Sequence, residues 1–230
     1  MNTLLDKIAS RGYWRVIVRP TRFNPKHIPD IASLYPILQR TSVSLRGWDF
    51  PHLDSHKSPQ IDIDWIGEEL DWEHHIYVWR FYQSGQFFHL SNMSIDWRDQ
   101  SSFWPPDKDW KPNTLLGVGD TIACLTEIFE FATRLALSEA GDERMHIEII
   151  VGNLVGRALY VDSHKRWPFD YRYSASIKEF PYSIDLSKTD LIAKSREFAL
   201  EGATELFKRF GWSTTIEILR SWQEELRLRR

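Results

Sequence analysis

Apolar and charged side chains alternate over residues 13–19: Trp14, Val16 and Val18 fall on one side, Arg15 and Arg19 on the other. A period of two belongs to a half-buried strand, and Pro20 stops it. The same alternation predicts strands over 41–46 (Val43 and Leu45 against Ser42 and Ser44) and over 61–65 (Ile61, Ile63 and Trp65 against Asp62 and Asp64). Residues 74–83 and 86–93 carry β-formers on both faces, and Ser84-Gly85 between them fits a two-residue hairpin turn. Residues 145–151 form an apolar, β-branched strand. Residues 154–161 are its expected hairpin partner across Gly152-Asn153, and 173–182 is a further strand.

Helical spacing appears elsewhere. Leu4, Leu5 and Ile8 predict a short helix over 2–10, closed by Gly12. Ile28, Ile31, Leu34 and Leu38 predict one over 27–40 that Pro36 should kink or break. Ile122, Leu125, Ile128, Phe129, Ala132, Leu135 and Ala136 form the stripe of a helix running to about residue 140, capped by Asp120 or Thr121. A long helix opens at Ser187 or Thr189 and reaches Phe210. A last helix spans 214–228, with Thr214 and Glu217 at capping-box spacing. Strands come in hairpins without a βαβ rhythm. The pattern predicts an α+β fold: an antiparallel or mixed β-sheet with packed helices and a C-terminal helical pair. Residues 1–230 read as one domain, with 104–114 the only candidate boundary.

Composition narrows the picture. With 42% hydrophobic and 14% aromatic residues, the 230-residue chain is a folded one. A net charge of −3 argues against bulk electrostatic binding to nucleic acid. Cys124 is the only cysteine, so neither an internal disulfide nor a cysteine-based zinc site can form, and it reads as a small buried hydrophobe. The first residues lack the apolar core of a signal peptide, and no stretch approaches about 18 apolar residues. A cytoplasmic protein with no membrane association is expected.

The excess lies in tryptophan: eleven residues, eight of them between Trp14 and Trp110. Trp14, Trp65 and Trp79 sit on strand faces and Trp212 and Trp222 in the C-terminal helical part. Trp48, Trp97, Trp104 and Trp110 fall in loops, where core packing explains them least. Trp48 adjoins the densest polar group, Arg46, Asp49, His52, Asp54 and His56. Imidazole and carboxylate together can bind a metal or form a general base with its orienting acid. Equally, Trp48, Phe50 and Pro51 can pin a loop to the core while Asp49 and Arg46 satisfy turn amides or each other. Glu73-His74-His75 reads as a solvated strand end, because adjacent strand residues point to opposite faces. Gly117-Val118-Gly119 is too short for a phosphate-binding loop and lacks the Lys-Ser/Thr that would follow.

Three strings together resemble an uncharacterised bacterial domain: Leu45-Arg46-Gly47-Trp48-Asp49-Phe50-Pro51-His52, Tyr82-Gln83-Ser84-Gly85-Gln86-Phe87 and Thr126-Glu127-Ile128-Phe129-Glu130-Phe131-Ala132. That domain is often joined to Schlafen-like (AlbA-type) domains associated with ATP or nucleic-acid binding. The resemblance covers most of the chain, rests on structural-looking motifs and brings no catalytic residues. It implies an accessory or sensor unit in a bacterial regulatory or phage-defence setting.

The leading expectation is a non-enzymatic module, without cofactor or metal, that binds a protein partner, a second copy or a small ligand through an aromatic-lined surface. Its candidate residues are Arg46, Trp48, Asp49, His52, Asp54, His56, Trp97, Trp104 and Trp110. Two alternatives stand beside it. One is a metal-assisted hydrolase or nuclease using Asp49, His52, Asp54 and His56. The other is a single-strand nucleic-acid binder stacking bases on the loop aromatics.

Overall fold

The computed structural model describes residues 3–54, 57–98 and 110–226. Its frame is a seven-stranded sheet in the order β11 (Glu179–Ser187), β9 (Arg144–Gly152), β1 (Tyr13–Pro20), β7 (Phe87–Asn92), β6 (His75–Tyr82), β5 (Trp65–Trp72), β4 (Gln60–Ile61). Every neighbouring pair in it is antiparallel. Two further pairs stand apart: β2 (Val43–Ser44) with β3 (Asp49–Phe50), and β8 (Leu115–Gly117) with β10 (Ala158–Tyr160), the latter parallel. The fold is α+β, as the alternation of strand and helix periods predicts.

The period of two in β1 does what it implies. Trp14, Val16 and Val18 are buried in the main core, which also takes Tyr77, Trp79 and Phe81 from β6 and Phe87 from β7. Over this face lies α3 (Val118–Leu137), whose Ile122, Leu125, Phe129 and Ala132 are buried in the same core. α2 (Leu34–Thr41), α4 (Lys188–Lys208) and α5 (Ile216–Glu225) pack against α3. Trp79, Phe81, Phe87, Phe129 and Phe131 are wholly buried, each contributing on the order of 1.5–3 kcal/mol by leaving water. The opposite sheet face carries a smaller cluster, Ile8 of α1 (Leu4–Ala9) on Ile76 and Val78.

Several local expectations change. The helix expected over 27–40 begins only at Ile31, and Pro36 does not break it. A 3-10 turn at Ile31–Ser33 precedes α2, so Pro36 falls in the first helical turn, where its missing N–H costs nothing. Residues 61–65 are not one strand, because Asp62 accepts from the Ile63 N–H and turns the chain between β4 and β5. Ile61 and Ile63 are left exposed. Residues 158–160 do not pair with β9, whose two edges are already taken by β1 and β11. They find β8 instead. The last strand starts at Glu179, later than expected. Ser187 caps α4 as expected. The cap of α5 is Thr215, and the Thr214 hydroxyl is buried. No helix among the described residues is long and apolar enough to cross a membrane.

One polar knot lies inside this frame. Arg157 and Asp96 are both buried and paired face to face. The guanidinium also donates to the carbonyls of Leu115 and Asn153, each at 2.7 Å, and to Asn113 Oδ1 at 2.9 Å. Asp96 accepts from the N–H groups of Gly12 (2.9 Å) and Asn113 (2.8 Å). The pair thereby ties the entrance of β1, the 3-10 turn at Ser94–Trp97 and β8 to one point. Gly12 is glycine for room: a Cβ there would lie 2.3 Å from an Arg157 nitrogen.

Candidate functional site

A cavity of about 670 Å³ opens on the helical side of the sheet, where α3 begins. Because β6 and β7 alternate faces, His75 and Tyr77 of one strand and His89 and Ser91 of the next share its floor with Trp14 and Val16 of β1. Asp120, Cys124 and Glu127 of α3 form a wall, and the turn from Arg46 to His52 and the end of α5 at Trp222 and Glu225 close it.

The β2–β3 hairpin presents that turn. Val43, opposite Phe50, is buried, and Phe50 packs edge-on to Phe87, His89 and Phe131, so the strands are held to the core. Gly47 at its tip has φ +82°, a conformation other residues adopt only with strain. Trp48 then lies between two imidazoles, His52 at 3.9 Å and His75 at 3.8 Å between ring centres, all three rings nearly parallel. Trp72 runs alongside at 6.2 Å from Trp48. The His52 carbonyl accepts from Trp79 Nε1 at 3.1 Å, which fixes the loop from below.

Arg46 does not pair with Asp49. Its guanidinium takes Glu127 in a two-toothed grip (3.0 and 2.6 Å), reaches Asp120, and donates to Cys124 Sγ at 3.3 Å. These partners sit at positions 120, 124 and 127, one face of α3. Burial pushes the Glu127 carboxyl up, against the pull of Arg46. Burial also pushes the Cys124 thiol up, so it stays protonated at neutral pH.

Neither Asp120 nor Thr121 caps α3. The cap arrives from outside the helix. Asp162 accepts from the N–H groups of Gly119 (2.6 Å) and Asp120 (2.7 Å). A Cβ on Gly117 would stand 2.6 Å from this carboxylate, and one on Gly119 3.0 Å. The Gly-Val-Gly string clears space for a carboxylate of the same chain. Asp162→Ala is expected to lower stability by about 1–2 kcal/mol, read from urea unfolding. A loss under about 0.3 kcal/mol would mean the cap is idle.

The floor holds the least ordinary group. His89 is 5% exposed, and its Nδ1 has no hydrogen-bond partner among the described residues. Its surroundings are the rings of Phe50, Tyr77 and Phe87. Burial lowers its pKa to about 3, so the ring is neutral. His75 is lowered to about 4, first by burial and then by the neighbouring His74, Arg98 and His52. His74 is lowered too, by burial and Arg98, against the opposing pull of Glu73. Tyr77 donates to Glu68 Oε1 at 2.8 Å, and Glu68 Oε2 takes the Asp54 N–H at 3.2 Å. Burial and Glu68 together raise the Tyr77 pKa.

Of the residues singled out from sequence, Arg46, Trp48, Asp49 and His52 line the cavity. Asp54 lies behind it, with its carboxylate 3.9 Å from Lys57 Nζ. His56 and Trp104 lie outside the described residues. Trp97 packs on the opposite sheet face, against the Ile8 cluster, with the Arg11 guanidinium 4.1 Å from its ring centre. Trp110, partly buried, is not among the cavity residues. No group of three or more His, Cys, Asp or Glu among the described residues is placed to hold a metal ion. Glu73-His74-His75 is not the solvated strand end expected: His74 and His75 are partly buried and line the cavity, because the ring of Trp48 stacks on His75. Tyr77, His89, Glu127 and Asp162 were missed. For His75 and Tyr77 the strand period was signal enough, since it places both on the Trp79 face. Nothing in the sequence marks the other three.

Comparison with known proteins adds no relative: no family model, no curated protein and no solved structure matches the chain.

Proposed function

We propose that this protein is a non-enzymatic binding module that takes a small ligand in the cavity between sheet and α3. The carrying observation is His89, a nine-tenths buried residue whose Nδ1 has no hydrogen-bond partner among the described residues, in the lining of a cavity of about 670 Å³. A buried polar atom left unpaired costs about 1–3 kcal/mol, and such a cost persists where function needs it. The cavity volume falls inside the range of about 300–1,000 Å³ usual for small-molecule sites, and aromatic walls with a few convergent polar groups are their common lining.

A binding role is favoured over catalysis by the state of the reactive groups. The Cys124 thiol and the Tyr77 phenol are both held protonated. Arg46 is engaged by Asp120 and Glu127, and Asp162 by the helix N–H groups. These groups build walls; they are not poised to exchange protons with a substrate. The accessory or sensor role in bacterial regulation or phage defence, implied by the resemblance above, belongs to the same proposal.

A fragment screen by protein-observed NMR tests it. Hits are expected to shift the resonances of Trp48, His75 and His89 together. His89→Phe is expected to weaken them by about tenfold, the loss of roughly 1.4 kcal/mol. Trp167→Ala, at a 91% exposed residue outside the cavity lining, should leave them unchanged. A screen whose hits all map elsewhere, or that yields none, refutes the proposal.

A further inference from the structure

Outside the cavity lining, the connection from β10 to β11 presents aromatic rings to solvent. Trp167 is 91% exposed and Tyr171 75%. Phe169 between them packs inward, its ring centre 4.9 Å from that of Trp212 and 5.1 Å from that of Tyr173. Beside Trp167, the Arg166 guanidinium grips Glu225 at 2.6 Å and lies over the Trp222 ring. Pro168 fixes its own backbone and narrows that of Trp167. The loop is thus anchored from below, and the Cα atoms of its two outward aromatics lie no more than about 14 Å apart. Rings left in water lend the fold almost nothing, so stability does not account for the pair.

The charge beside them is positive. Lys165, Arg166, Arg172 and Lys178 share this connection with Asp162 and Asp170. Asp162 is spent on the amides of α3, and Arg166 on Glu225. Lys165, Arg172 and Lys178 remain in solvent against Asp170, and none of these four is ion-paired among the described residues. That leaves a local surplus of two positive charges in a chain whose net charge is −3.

We infer that this loop is a docking site for single-stranded nucleic acid, with bases stacked on Trp167 and Tyr171 and phosphates met by Lys165, Arg172 and Lys178. Every base has a π-face, so exposed rings beside unpaired cations suit an unpaired strand of any sequence. An anionic membrane surface fits less well. No aliphatic side chain is exposed on the connection, since Val161, Ala175 and Ile177 are all covered, and the loop lacks the apolar wedge that enters a bilayer. The site is separate from the cavity and does not rest on it.

The test titrates a labelled single strand of about twelve nucleotides with the full chain at low salt and reads fluorescence anisotropy. Binding is expected, with log affinity falling against log salt at a slope of about −1.5 to −2, as two or three phosphate contacts require. Trp167→Ala combined with Tyr171→Ala should weaken it at least about fivefold. The unfolding midpoint should stay in place, because both rings are exposed. Lys165→Gln combined with Arg172→Gln should flatten the slope by about 1.4. No binding, or an aromatic double variant that binds as well as the natural chain, overturns the inference. So does equal binding of the same strand annealed to its complement, whose bases are already stacked. Association with phosphatidylserine vesicles in place of the oligonucleotide overturns it in favour of a membrane surface. Because Trp167→Ala leaves the cavity fragments unaffected, the two sites stand or fall separately.

Discussion

Arg157→Met is expected to destabilise the protein by about 3–5 kcal/mol, the usual cost of leaving one buried charge behind without its partner. The stranded group would be Asp96, 1% exposed and sealed among β1, the Ser94–Trp97 turn and Asn113. Methionine fills much of the volume but cannot replace the donors to the Leu115 and Asn153 carbonyls. Asp96→Ala should cost a similar amount, because it strands the guanidinium and two backbone N–H groups. The double variant should cost about as much as the worse single one, since both remove the same knot. Urea unfolding of the four proteins measures this. Strict additivity would show that the two side chains act independently. The damage should reach the cavity, because Ser94, Ile95 and Arg98 on the same turn line it.

The second large effect has the opposite sign. His89→Phe should stabilise the protein at pH 7 by about 1–3 kcal/mol, because it removes an unpartnered polar ring from an aromatic nest and supplies an apolar ring of similar size. The gain should grow in acid. With a pKa of about 3 in the fold, against 6.5 for an ordinary histidine, the native chain refuses a proton that the unfolded chain accepts. The part of the natural protein's stability that depends on the His89 proton is therefore complete above pH 6.5. It falls as pH drops toward 3, by up to about 1.4 kcal/mol per pH unit from this residue. His74, His75 and the carboxylates titrate in both proteins and cancel in the comparison. Between pH 7 and pH 5 the difference between variant and natural protein should widen by about 2 kcal/mol. An unchanged difference would mean that His89 reaches water in the fold. A more stable variant that binds fragments poorly would be a stability cost retained for binding.

Legibility of the site divides by how local the cause is. The alternation of Trp14, Val16 and Val18 forces one face of β1 into the core wherever the strand lies, so period alone announced it. The hairpin at Ser84-Gly85 was readable for the same reason, and Gly85 takes φ +79° there. The Arg46–His52 string announced itself by its density of polar and aromatic side chains. Its partners did not. Arg46 crosses to α3 more than seventy residues along the chain, and Asp162 crosses back to cap that helix. Charge complementarity at such separation leaves no periodic trace. Glu68 shows the same limit: nothing sets it apart from the other carboxylates between Asp62 and Glu73, yet it is buried and takes the Tyr77 hydroxyl and the Asp54 amide.

The tryptophan excess ends divided the same way. Strand period by itself determined that Trp14 and Trp79 are core residues, and helix and strand periods together determined an α+β fold. Only the tertiary structure decided that Trp48 stacks between His52 and His75 at a cavity, while Trp97 lies on the far face of the sheet. The physical reason is that side-chain facing is a property of neighbouring residues along one strand or helix. A cavity is the space left between elements, set by which strands become neighbours and by which charges then meet across the gap.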